Sequence, residues 1–162
     1  MSPISPIRVF LVVASAGVLG CATPRTVPAE PSPLPVSALP DLGSPFPSAL
    51  ASPRLEMTGA SQLSPSLLVR LQDTVFTVAV SAHGRVSYIG TSAPSFSTPE
   101  GVRVGTPYSA VRTLATSESI CELGWGCYSR LPSGWHAAFP FSDAVNGQTL
   151  PNHAAVRWLF KR

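Results

Sequence analysis

The chain has no long apolar run. Nowhere do its 162 residues hold the roughly 18–20 consecutive apolar side chains of a spanning helix, which excludes an ordinary helical membrane protein. Charge is scarce, at 12% Asp, Glu, Lys and Arg, with a formal balance of only +3. The C-terminal cations Arg157, Lys161 and Arg162 are too few for a nucleic-acid footprint and read as a solvated strand end. Histidine is limited to His83, His136 and His153, with no pair at helical i, i+4 spacing, so no metal-binding pair of that kind exists. No Gly-x-Ser-x-Gly elbow presents a nucleophile. The stretch Gly101-Val102-Arg103-Val104-Gly105 lacks the Gly-Lys-Ser/Thr that would make it a phosphate loop. The pattern calls for no cofactor and no metal.

What is present begins at the N-terminus. Met1 to Arg8 carries a positive charge and no acid, and Val9 to Leu19 (VFLVVASAGVL) is a mostly apolar stretch of eleven residues. This is the charged region followed by a short hydrophobic region of a secretory signal. Val18-Leu19-Gly20-Cys21 follows directly and resembles the lipobox of bacterial lipoproteins, with Leu19 where a small residue is commoner. The resemblance implies cleavage before Cys21, transfer of a diacylglycerol to its thiol and acylation of the new amine. Thiolate chemistry is what makes a cysteine the acceptor, and several acyl chains anchor far better than one. Ala22 brings no aspartate-type inner-membrane retention signal, so the resemblance favours an outer membrane where the host has one. The alternative is an ordinary signal peptide cut near Ala22 or Ala29, with Cys21 incidental.

Between Ala22 and Pro53 lie nine of the 18 prolines, among serines and alanines, with Phe46 the only aromatic. Each proline sets φ and removes a backbone donor, which disfavours helix and sheet alike. The expected form is an extended spacer reaching on the order of 100 Å at ~3.1 Å per residue. Pro28-Ala29-Glu30-Pro31 also fits a PxxP ligand, a pattern that arises readily in any such tract. The expected division is therefore 1–20 signal peptide, 21–53 lipidated cysteine and proline-rich linker, and 54–162 folded domain.

Residues 54–162 hold 11 of the 13 aromatics, and a segment this long can bury one core. TVFTVAVSA (Thr74 to Ala82) and RVSYIGT (Arg85 to Thr91) alternate around His83-Gly84, which predicts a hairpin with Val86 and Tyr88 sharing a face. SLLVRLQ (Ser66 to Gln72) predicts an earlier strand, with a short helix as the alternative. Thr106 reads as an N-cap and Pro107 as the first residue of a short helix that buries Val111 and Leu114. ICEL, CYSRL, WHAAFPF and AVRWLF predict four later strands, the last with Val156, Trp158 and Phe160 on one face. Strands, one helix, then strands predict an α+β domain: an antiparallel sheet of several strands with one short helix packed on it.

Three cysteines are an odd count for an exported protein. With Cys21 assigned to lipid, Cys121 and Cys127 flank the flexible Gly124-Trp125-Gly126, and a disulfide across that hairpin is the preferred reading. Five intervening residues are too many for a CxxC redox motif, and two thiols without paired histidines do not make a zinc site. Trp125, at the hairpin tip, is the candidate contact for a protein or glycan, with folding back onto the core as the equal alternative. The segment Gly105 to Val111 (GTPYSAV) is similar to the loop-into-helix of small outer-membrane lipoproteins of the BamE/SmpA type. Thr98 to Gly105 (TPEGVRVG) resembles more closely a stretch found in uncharacterised envelope lipoprotein domains. The expectation is an exported, lipid-anchored envelope protein with a non-catalytic binding or structural role, whose partners are the membrane and an envelope protein or glycan. The alternative is an envelope hydrolase or small-ligand carrier, its groups drawn together in space from acids such as Asp73, Asp143, Glu100, Glu118 and Glu122.

Overall fold

A computed structural model describes residues 32–46 and 54–162; the signal segment, Cys21 and the first part of the proline-rich tract lie outside the described residues. Pro31–Arg162 form one compact unit. It is mostly β, a nine-stranded and mostly antiparallel sheet with one short helix. The strands are β1 (Leu34–Pro35), β2 (Arg54–Gly59), β3 (Gln62–Leu71), β4 (Thr74–Val80), β5 (Val86–Thr91), β6 (Ile120–Glu122), β7 (Gly126–Arg130), β8 (His136–Phe139) and β9 (Trp158–Lys161). The helix α1 spans Tyr108–Leu114, and a short 3-10 turn covers Phe141–Asp143.

Sheet order is β1-β3-β4-β5-β9-β8-β7-β6, with β2 also on β3. The last strand is thus inserted between β5 and β8, joining the early β2–β5 meander to the later β6–β8 one. All pairings are antiparallel except β1 with β3.

Side chains alternate across a strand, so the sheet has two faces. The larger core lies on one face and includes Phe76, Val78, Ile89, Phe139 and Leu159, covered by Tyr108 and Val111 of α1 and by Val102, Leu150 and Val156 from the connections. The other face carries a second cluster of Ala79, Tyr88, Tyr128, Ala138 and Phe160, with Trp125 and Trp158 against it.

Four local expectations are corrected. The predicted β4–β5 hairpin forms, but Ala79 opposes Tyr88 while Val80 opposes Val86. Ser87 is therefore a bulge residue, and an extra residue reverses alternation. Val86 enters the larger core and Tyr88 the aromatic face. A similar split separates Val156, in the larger core, from Trp158 and Phe160 on the opposite face.

At α1, Pro107 occupies the cap position without a side-chain cap bond, and Thr106 Oγ1 instead accepts the Arg103 N–H at 3.0 Å. The free donors of the first turn are met by backbone carbonyls: Tyr108 N–H donates to Ala154 O (2.7 Å) and Ser109 N–H to Asn152 O (3.0 Å). Leu114 is exposed rather than buried.

The stretch from Leu34 to Phe46 departs from the expected free spacer. Leu34 and Pro35 pair with Val69 and Arg70, and Val36 N–H donates to Arg70 O at 2.9 Å. Gly43 and Phe46 donate to Val86 O and Gly84 O at 2.8 and 3.0 Å. Leu34, Val36, Leu39 and Phe46 pack on the larger core. Apolar side chains at intervals among the prolines are what make this stretch adhere.

Candidate functional site

The site is built on the aromatic face and begins with the β6–β7 turn. Cys121 and Cys127 are directly opposed and joined by a disulfide, as the spacing suggested. The closed loop holds Trp125, whose N–H donates to Glu122 O at 3.1 Å. Its indole folds back over the sheet, edge-on to Phe160 (4.8 Å between centroids), Tyr128 (5.5 Å) and Trp158 (5.7 Å). Indole Nε1 donates to Met57 O of β2 at 3.2 Å. Of the two orientations open to the turn tryptophan, the structure holds the folded-back one, partly buried and still lining a cleft.

Beneath it, Arg162 Nη2 donates to Glu122 Oε1 and approaches Tyr128 Oη, both at 2.6 Å, while Tyr128 Oη donates to Glu122 Oε1 at 2.7 Å. Glu122 Oε2 accepts the Ala60 N–H at 3.2 Å, and Arg162 Nη1 donates to Thr58 O at 3.3 Å. The guanidinium lies 4.7 Å from the Trp125 ring centroid and 4.8 Å from that of Tyr128, in range for cation–π attraction. Arg162 is therefore no solvated strand end. It ties the β2–β3 turn, β6 and β7 together.

The electrostatics follow. The hydrogen bond from Arg162 holds the Glu122 carboxyl down at about 2, with Tyr128 and the Ala60 N–H adding to it against the cost of burial. Burial, then the hydrogen bond to Glu122, pushes the Tyr128 phenol up. Burial and the nearby Glu56 charge do the same to Tyr88.

Two glycines make this face possible. A Cβ at Gly90 would sit 2.7 Å from Cε1 and Cζ of Tyr88, too close to the phenol ring. A Cβ at Gly126 would sit 2.5 Å from Trp158 Cη2 and 2.7 Å from Phe139 O, so the indole edge closes on bare backbone.

Between the β2–β3 hairpin and the sheet is a cleft of about 270 Å³. Trp125, Trp158 and Tyr88 line it with aromatic surface, Gly90 lies among them, and Glu56 and Thr77 supply polar groups. Aromatic walls with a few placed polar groups are the usual make-up of a small-ligand site.

The other candidate residues do not converge here. His83 and His153 are exposed at separate turns. His136 is half-buried and stacked on Phe160 at 4.7 Å. Burial leads in pulling the imidazole below its usual range, aided by the Arg162 and Arg130 charges. Its Nδ1 is buried without a hydrogen-bond partner among the described residues, as suits a neutral ring. Glu100 is taken up by Ser133, accepting its N–H at 2.6 Å and its hydroxyl at 2.9 Å. Among the described residues no three His, Cys, Asp or Glu side chains form a metal-binding group. Sequence reading passed over Arg162, Glu122, Tyr128 and Trp158 as a group. The available signal was Trp158-Leu159-Phe160-Lys161-Arg162, where alternate residues put Trp158, Phe160 and Arg162 on one face.

The architecture is that of a mostly β domain with a single short helix. No protein-family model matches the chain, and no curated protein sequence matches it. Among solved structures the chain is similar to the crystal structure of the uncharacterized protein yfeY from Escherichia coli. Identity is 16%, the TM-score is 0.49, and the match covers 81% of this chain and 99% of that one.

Proposed function

We propose that this is an exported, lipid-anchored envelope protein whose β domain is a non-catalytic binding module. Cys21 is the anchor on this reading, and the ligand is a sugar ring of an envelope glycan held in the Trp125–Trp158 cleft. The anchor rests on the apolar stretch Val9–Leu19 running into Val18-Leu19-Gly20-Cys21.

The observation that carries the binding role is the pair of touching, edge-to-face indoles that line the cleft together with Glu56 and Thr77. A pyranose presents C–H groups on its faces and hydroxyls around its edge. The former complement the negative face of an indole, and the latter complement Glu56 and Thr77 in the lining. The disulfide and the Arg162–Glu122 pair hold the walls in place before a ligand arrives, which limits the ordering cost of binding.

The test is titration with soluble glycan fragments, followed by tryptophan emission and by amide shifts at Thr77 and Gly90. Binding that weakens at least about tenfold in Glu56→Ala and Thr77→Ala supports the reading. Wild-type protein whose Thr77 and Gly90 signals do not move with any envelope glycan at millimolar concentration refutes it.

A further inference from the structure

We propose that the outward face of the β2–β3 hairpin is a bilayer-contacting surface that seats the domain against the boundary between lipid headgroups and acyl chains. The proposal rests on the lipid-anchor reading for its tether and on the structure for its surface.

The hairpin has its polarity reversed. Where Leu55 opposes Pro65 and Met57 opposes Leu63, the four side chains share one face, opposite the one that carries Thr58, Ser64 and Ser66. Leu55 is 60% exposed, Met57 42% and Leu63 59%, and Pro65 is exposed as well. The inward side carries Thr58, Ser64 and Ser66, all buried, with the Thr58 and Ser64 hydroxyls paired at 3.2 Å. Further along β3, Leu67 and Val69 continue the apolar side into the core. The hairpin thus extends the core-facing side of β3 beyond the core, and none of the described residues covers it there. Leu123, 78% exposed, sits in the β6–β7 turn that touches this hairpin through Ala60 and Met57.

The occupant follows from the size of the patch and from where the chain leaves it. Four side chains fall well short of the roughly 800 Å² per partner of a stable protein interface. A small apolar surface suffices, however, when a tether already holds it beside its target. Strand β1 lies on the same edge of β3 as β2, pairing at Val69 and Arg70. Leu63 and Val69 are six residues apart, about 20 Å along the strand. Ser32 lies only eleven residues after Cys21, about 40 Å at full extension. The anchor therefore leaves the domain on the edge that carries the apolar patch, within reach of the bilayer. Leucine and methionine at that depth add apolar burial to the acyl chains.

The experiment supplies the tether artificially, so that it does not depend on lipidation. Residues 1–20 are replaced by a histidine tag and Cys21 by serine, leaving the compact unit Pro31–Arg162 whole. The protein is captured on phosphatidylcholine–phosphatidylglycerol vesicles containing a nickel-chelating lipid. An environment-sensitive dye is placed at Leu63→Cys or, as control, at Val145→Cys, an equally exposed position in another loop. Spin-labelled lipids should quench the Leu63→Cys dye at least about twofold more than the control, with Leu55→Ser removing the difference and Leu55→Phe preserving it. Equal quenching at the two positions overturns the proposal. So does a blue shift at Leu63→Cys that grows with protein density and ignores the spin labels, which assigns the face to a second copy. Flotation of membranes from cells expressing the wild-type chain or Cys21→Ser reports the anchor separately.

Discussion

Glu122 is where one side chain bears on the most structure. Its carboxylate takes hydrogen bonds from Arg162, Tyr128 and the Ala60 backbone, and so joins the β2–β3 turn to the two strands farthest from it in sheet order. Its pKa lies at about 2 in the folded chain against an ordinary 4.5, so the ionised form is the one that favours folding. The stabilisation is complete above the ordinary value and is lost as pH falls from about 4.5 toward 2. Both partners keep about a quarter of their surface in water (28% for Arg162, 25% for Glu122), so screening trims the pair to roughly 1 kcal/mol. Urea unfolding from pH 6 to pH 3 should show that loss, and Glu122→Gln should remove it, leaving a variant already weaker at pH 6 and flatter below it. An unchanged pH slope in Glu122→Gln would contradict the assignment.

At the scale of elements, the disulfide-closed β6–β7 turn governs the aromatic face. Reduction, or the double replacement Cys121→Ser with Cys127→Ser, should cost about 2 kcal/mol by thermal or urea unfolding. It should also loosen Trp125, red-shifting its emission, because the seven-residue loop is what aims the indole at Phe160 and Met57. This turn was legible in the sequence because its information is local: two cysteines, two glycines and a tryptophan within seven residues. The β4–β5 hairpin was legible for the same reason, from strict alternation on either side of His83-Gly84. The bulge at Ser87 was not, since a single extra residue leaves the composition of the strand unchanged while moving Tyr88 to the other face. Strand β2 was missed because Leu55 and Met57 alternate toward solvent and mark no core. The Arg162–Glu122–Tyr128 group was invisible for another reason. Arg162 is 40 and 34 residues from its partners, and only the insertion of β9 between β5 and β8 brings them together.

For the molecule as a whole, the question is where the tether ends and the fold begins. Proline content alone places that boundary near Pro53, yet composition measures what a backbone cannot form and says little about where its side chains adhere. Leu34, Val36, Leu39 and Phe46 are spaced through the proline-rich tract and pack on the larger core, and β1 and Gly43–Phe46 satisfy backbone groups of β3 and the β4–β5 turn. The prolines favour this docking, because a chain with preset φ loses less entropy when it is laid down. On the lipid-anchor reading, the spacer left between Cys21 and the domain is about eleven residues rather than thirty-two. A chain beginning at Arg54 should therefore be markedly less stable than one beginning at Pro31. Four partly buried apolar side chains at a fraction of their full burial energy give a loss of roughly 3–6 kcal/mol. For a domain of this size that is a fall of about 10–20 °C in Tm. Scanning calorimetry of the two chains measures it directly. Equal Tm values would return residues 32–46 to the spacer and lengthen the reach of the anchored domain accordingly. A lower Tm in the shorter chain, restored by adding a peptide of residues 32–46 in trans, would show that the tract acts through its side chains and not merely by its attachment.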